Sequence, residues 1–239
     1  MTPASPHVAS FLTTRWTRVC LAKADSEEGR RALTDLCDAY YEPVVAYLKS
    51  ALRDVDTARD LSHAFFAEIL GGGRIDSVER DRGRFRSYLL GAVKHFVSRQ
   101  RESGRRIKRG GSAEALPLDA PEVSELPDGR QLSPDEEFDR QWAVTVLARS
   151  LDALRTECVA EGRGELFESV KSMLSGGAER GDQVALASAF GMSPDALRMV
   201  IHRLRKRLRQ WVKSEVAGTL DDPASVQSEM QTLFAALGK

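Results

Sequence analysis

The sequence has little of what membrane proteins, secreted scaffolds and most enzymes require. No apolar run approaches the about twenty residues that cross a bilayer, and no signal-peptide pattern is present, so a soluble, cytoplasmic protein without a membrane partner is expected. The three cysteines, Cys20, Cys37 and Cys158, are odd in number and lack CxxC spacing. That excludes a disulfide framework and points to buried thiols in a reducing compartment. Histidines 7, 63, 95 and 202 are scattered without metal-ligand spacing. No GxSxG, Walker motif or paired-carboxylate constellation stands out, so neither an enzyme, a metal nor a cofactor is expected. The triple glycine Gly71-Gly72-Gly73 is followed by no Lys-Ser/Thr and preceded by no strand, and it reads as a helix terminator. Strand-like alternation is missing throughout, and long stretches of period 3.6 predict an all-α fold.

Net charge is also missing: 35 Lys/Arg balance 35 Asp/Glu. The balance hides segregation along the chain. Between Arg74 and Arg109 twelve Lys/Arg stand against four acids, whereas between Ser112 and Asp139 nine acids stand against Arg130 alone. Such separation favours a polyanion partner for the basic piece and a solvated tether for the acidic one. With Pro117, Pro121 and Pro127 inside it, the acidic stretch reads as an interdomain linker.

A first group of helices is predicted over Thr13 to Ala24, Glu28 to Tyr41 and Val44 to Leu52, with Pro43 kinking or restarting the chain between the last two. Asp54 to Leu70 follows, with Leu61, Phe65 and Ile69 as its stripe. The basic helix then runs from about Gly83 to Glu102, with Phe85, Leu89, Val93, Phe96 and Val97 inward. Arg84, Tyr88, Lys94, His95, Arg99 and Arg101 are left outside. Rings interleaved with cations suit unstacked DNA, because bases stack on rings while cations hold phosphates.

Past the linker, Ser133-Pro134-Asp135 starts a helix to about Cys158, carrying Phe138, Trp142, Val146 and Leu154 on one face. A shorter helix covers Glu165 to Leu174. Gln183 to Trp211 then reads as two helices around a turn at Gly191, with Ser193 as N-cap, Pro194 at the first helical position and Asp195 in the first turn. Leu197, Ile201, Leu204, Leu208 and Trp211 form the apolar stripe. Seven Lys/Arg against one acid lie between Asp195 and Lys213. That combination predicts a helix-turn-helix whose second helix enters the major groove. A small amphipathic helix from Asp221 to Leu237 ends the chain, and its pattern fits packing on the preceding helices or a partner equally well.

Two helical domains of this kind in this order resemble the bacterial RNA polymerase sigma factors. The likeness is to the extracytoplasmic function (ECF) group, in the lineage found in planctomycete-type bacteria. It is carried by TTRW (13 to 16), DLSHAFFAEIL (60 to 70), RGRFRSYLLGAVKHF (82 to 96), RQWAVTVLARSLDALR (140 to 155) and FGMSPDALRMVIHRLRKRL (190 to 208). The resemblance implies a clamp-docking and minus-ten domain over 11–109, the acidic linker over 110–134, a minus-thirty-five domain over 135–217 and a helical extension over 218–239. Asp56, Arg59, Asp60, Leu61, His63 and Phe66 would meet the polymerase clamp coiled coil, with His63 and Ala64 standing where the family usually has Gln and Glu. Arg82, Arg84, Arg86, Tyr88, Lys94, His95, Arg99 and Arg101 would serve minus-ten DNA, Tyr88 standing where Trp is common and His95 where Asn is.

Ser193, Asp195, Arg198, Met199, His202, Arg203 and Lys206 would serve the minus-thirty-five element. Arg198, Met199, His202 and Arg203 would read base edges, and Arg205, Lys206 and Arg209 would contact phosphates. The implied partners are core RNA polymerase, through clamp and flap, and promoter DNA, with an anti-sigma factor or other regulator as a further class. Two other readings stay open: a helix-turn-helix regulator that does not direct polymerase, and a sigma-like decoy that binds polymerase without opening DNA.

Overall fold

The computed structural model describes residues 27–71, 84–109, 132–175, 180–220 and 222–238. The helix expected at Thr13 to Ala24, Arg82, nearly all of the acidic linker and Gly176-Gly177 lie outside them. Among the described residues the fold is all-α, with one isolated antiparallel bridge, Arg84 to Leu220, and no strand. No single described helix is long and apolar enough to cross a membrane.

In chain order the helices are α1 (Glu27–Leu52), α2 (Val55–Gly71), α3 (Phe85–Arg109), α4 (Pro134–Ala160), α5 (Gly164–Val170), α6 (Arg180–Ala189), α7 (Pro194–Ala217) and α8 (Val226–Leu237). Two 3-10 turns, Lys171–Ser175 and Pro223–Ser225, continue α5 and precede α8. The helix expected to break near Pro43 is continuous. Leu33, Cys37, Tyr40, Val44, Tyr47 and Leu48 bury one face across the proline, and that packing offsets the lost hydrogen bond. The Glu165 to Leu174 helix tightens to 3-10 geometry in its last turn, while Leu166, Phe167, Val170 and Leu174 are all buried.

Helix starts follow local chemistry. Arg53 takes a left-handed φ of 57°, and Asp54 then accepts hydrogen bonds from the Asp56 and Thr57 amides to begin α2. A further bond from the Thr57 hydroxyl, the largest influence, helps hold the Asp54 carboxyl below its ordinary pKa. Ahead of α4, the Ser133 amide donates to Glu136 Oε2 at 3.0 Å, and the Glu136 amide donates back to Ser133 Oγ at 3.3 Å. This reciprocal pair closes the helix start that Ser133 signals.

The chain divides into two compact units, Met1–Thr145 with Ala217–Lys239, and Val146–Val216. These bounds differ from a break at the acidic linker. The first turns of α4 and the C-terminal helix belong with α1 to α3, because Phe138 and Trp142 are buried beside Tyr40 and Arg86. In this unit Tyr40 meets Phe85 edge-on at 5.0 Å and stacks on Phe138 at 6.3 Å, while Phe65 meets Phe96 at 5.5 Å. The second unit is built on Leu154, Phe167, Val170, Leu197, Ile201 and Leu204. Cys37 and Cys158 are free, buried thiols. Burial, with the Asp38 charge, pushes the Cys37 pKa up to about 12, so this thiol is unreactive at neutral pH.

Phe167 is 1 % exposed. Phe167→Ala is expected to remove about 3–5 kcal/mol of stability, read as a lower denaturant midpoint; a loss under 1 kcal/mol would contradict a close-packed site.

Candidate nucleic-acid and protein interface

On α2 the residues expected to meet polymerase separate into two faces. Asp56, Arg59, Asp60 and His63 are exposed and recur at the i, i+3, i+4, i+7 spacing of a single helix face. Leu61 and Phe66, grouped with them from sequence, are instead buried, because the apolar stripe of an amphipathic helix turns inward before any partner arrives. His63 is held by a neighbour that sequence spacing did not reveal. Its ring stacks on Tyr41 of α1 at 5.7 Å, and its Nε2 lies 2.8 Å from the Tyr41 hydroxyl.

On α3 the cations expected to meet DNA are largely engaged by carboxylates of the same unit. Arg86 is not on the outer face: it is 8 % exposed, donating from Nε to Glu229 Oε1 at 2.7 Å and from Nη1 to Asp139, with its guanidinium 4.9 Å from the centre of the Trp142 ring. Arg84 bridges Glu229 Oε2 at 3.0 Å and Ser228 Oγ at 2.7 Å. Lys94 pairs with Asp135, and Arg99 donates to Glu68 at 2.9 Å. Arg101 donates to the Ala51 carbonyl at 3.2 Å, satisfying an orphan acceptor in the last turn of α1.

These pairs differ in how readily they exchange. Lys94–Asp135 and Arg99–Glu68 lie at the surface, with side chains about a third to a half exposed, where an ion pair contributes about 0–1 kcal/mol. Such pairs can exchange partners at little penalty. The Glu229 carboxylate is 0 % exposed, and breaking a buried pair by removing one partner costs about 3–5 kcal/mol. Arg86 is therefore committed to the fold. Tyr88 is half-buried and tilted against Phe85 at 6.2 Å, and His95 is exposed two turns further on.

In the second unit α6 and α7 meet at a bend of 99°. Gly191 adopts φ +63°, where an L side chain is strained, and the Met192 amide reaches back to the Ala187 carbonyl at 2.8 Å. Ser193 Oγ then accepts from the Ala196 amide at 3.1 Å to start α7. Leu197, Ile201 and Leu204 point into the core, while Asp195, Arg198, Met199, His202, Arg203 and Lys206 are exposed. Arg198 pairs with Asp195 at 2.6 Å across one turn at the surface. His202, Arg205, Lys206 and Arg209 line a shallow depression.

Two cations of α7 are engaged inside their own unit. Arg205 donates to the Met173 carbonyl at 2.6 Å, and Arg207 donates to both Glu157 oxygens at 2.8 and 3.0 Å. Both anchor α7 within its own unit. Arg203, Lys206 and Arg209 have no ion-pair partner among the described residues and face outward. The Trp211 indole N–H also donates to Glu157, at 2.8 Å. For Glu157 burial disfavours the charge, but the bonds from Arg207 and Trp211 and the Arg207 and Arg163 charges outweigh it and hold the carboxyl below its usual value.

Comparisons with protein-family models, with curated proteins and with solved structures return no match. The functional reading therefore rests on the residues themselves.

Because Glu157 titrates lower in the folded chain than in the unfolded one, its stabilisation is complete above the unfolded value of about 4.3 and is lost as pH falls through the folded value. Melting wild type and Glu157→Gln from pH 7 to pH 3 should give a gap in Tm that closes toward acid. A gap that widens would reverse the assignment.

Proposed function

We propose that this chain is an alternative sigma factor of the extracytoplasmic function group, a cytoplasmic protein that binds core RNA polymerase, recognises promoter DNA and initiates transcription without chemistry of its own. The observation that carries the reading is the outer face of α7. Beyond a 99° bend with a left-handed glycine it offers Arg198, Met199, His202, Arg203 and Lys206 on one exposed side, with Arg209 a turn further on. A bend of roughly 90–120° and a capped basic second helix are what a helix-turn-helix needs to set side chains into the major groove.

The remaining surfaces fit the same assignment. Asp56, Arg59, Asp60 and His63 give α2 a polar face suited to a protein helix such as the clamp coiled coil. Tyr88 and His95, with Lys94 and Arg99 released from surface pairs, give α3 rings and cations for the minus-ten strand. The available phosphate contacts are fewer than the cation count of the sequence suggests, since Arg86, Arg101, Arg205 and Arg207 act within the fold.

A second reading, a DNA-binding regulator that never joins polymerase, is favoured by one observation. Arg84, Arg86, Lys94 and Arg99 all engage carboxylates inside their own unit. Gel filtration of the full chain with core RNA polymerase, then transcription from a library of promoter-like templates, separates the readings. Co-elution with new start sites supports the sigma factor. Co-elution without transcription means a decoy, and failure to co-elute means the free regulator.

Base-edge and phosphate contacts on α7 are separable by mutation. Arg198→Ala should lose about 1–3 kcal/mol at one upstream base and relax selectivity there, whereas Lys206→Ala should weaken all sequences alike and reduce the salt slope by about one. Binding to a panel of upstream duplexes at several salt concentrations is the check, and identical effects of the two on every duplex would refute the division.

A further inference from the structure

We propose that α8 is a working part of the promoter-opening unit, with Glu229 as the positioning residue that sets the first turn of α3; this rests on reading α3 as the helix that opens DNA. The starting point is an acid where an apolar residue belongs. Val226, Glu229, Met230, Leu233 and Ala236 form the buried stripe of α8, and Glu229 is 0 % exposed within it. A carboxylate taken out of water is tolerated only where cations meet it closely, so its partners define its place. Those partners are Arg86 Nε at 2.7 Å and Arg84 Nη1 at 3.0 Å.

The tie is repeated in the backbone. The first amides of a helix have no acceptor of their own, and the Phe85 amide finds one in the Thr219 carbonyl at 3.2 Å. Arg84 and Leu220 pair as an antiparallel bridge, and Arg84 Nη2 donates to Ser228 Oγ at 2.7 Å. Asp139 of α4 takes the other arm of Arg86, whose guanidinium also lies over Trp142. The start of α3 is thus held through side chain and main chain by a segment that follows it by more than 130 residues.

Depth and roll of α3 are what such an arrangement specifies. Buried ionic groups contribute little net stability against an apolar alternative, and their best-attested use is to select one register. The Tyr88 amide donates to the Arg84 carbonyl at 3.2 Å, so Tyr88 sits one turn beyond the clamped residue and His95 two turns beyond that. A roll of α3 moves both together, away from any base they meet. A labile lid is the wrong description, because α8 also buries Val226, Met230 and Leu233.

The test uses the full chain, core RNA polymerase and a promoter recovered from the template library, comparing wild type with Glu229→Gln and with Arg84→Gln. Arg84→Gln is the gentler change, since Arg86 still neutralises Glu229. Polymerase affinity and promoter opening per bound polymerase, read by permanganate reactivity of the melted strand, are measured where circular dichroism shows each variant folded. Opening should fall about tenfold or more while polymerase affinity stays within about twofold, since a small misplacement of contact groups has effects of this size. Equal losses in both quantities would make Glu229 merely structural, and unchanged or increased opening would make α8 a bystander or an inhibitor; each overturns the proposal. A wild-type chain that does not bind polymerase removes the underlying sigma reading, a failure distinct from one confined to the variants.

Discussion

A guanidinium cannot shed its proton at any pH a cell reaches, so an arginine carried into a protein core must be met there by carboxylates. Arg86 imposes that demand on the first unit. It is buried at the start of α3, and two elements far away in sequence answer it: Asp139 from the start of α4 and Glu229 from α8. Trp142 covers the guanidinium plane. Much of the unit's organisation follows. The start of α4 and the C-terminal helix cannot leave without exposing α3's apolar side or stranding a charge, which is why both belong with α1 to α3.

The same distinction, between cations that hold the fold and cations that face outward, runs through the second unit. Arg207 and Trp211 converge on Glu157, and Arg205 caps the Met173 carbonyl, so the inner edge of α7 is fastened. His202, Lys206 and Arg209 line a depression together with Arg205, and Arg203 is exposed next to Lys206 on the helix. A basic helix that used every charge for nucleic acid would have little polar material left to fix its own orientation. Here the load is divided between neighbouring positions: Arg205 and Arg207 are bonded within the unit, while Lys206 between them faces outward.

Much of the fold was legible because its causes are local. Ser133 and Ser193 announce helix starts through hydrogen bonds spanning three residues, and Gly191 announces a turn through its freedom at positive φ. Apolar stripes at period 3.6 named Phe85, Leu89, Val93 and Leu197, Ile201, Leu204 as core, and all six are buried. Pro43 was misleading for the opposite reason: its local penalty is outweighed by packing along the whole of α1. Leu61 and Phe66 show a further limit, since a side chain suited to a partner and one suited to the core look alike in a single sequence.

The sequence by itself determined the all-α class, the helix caps, the turn and the segregation of charge, all of which depend on residues within about one helical turn or on composition. Only the tertiary structure decided which cations are spent inside the fold. Arg86 and Glu229 are 143 residues apart, and no spacing rule couples them. Glu229 did leave one trace, an acid on the apolar stripe of an amphipathic helix, which marks a buried charge in search of a counter-ion. Its partner could not be named from that trace, because electrostatic pairing in a low-dielectric interior depends on which surfaces close over each other, and that is settled by packing of the whole unit.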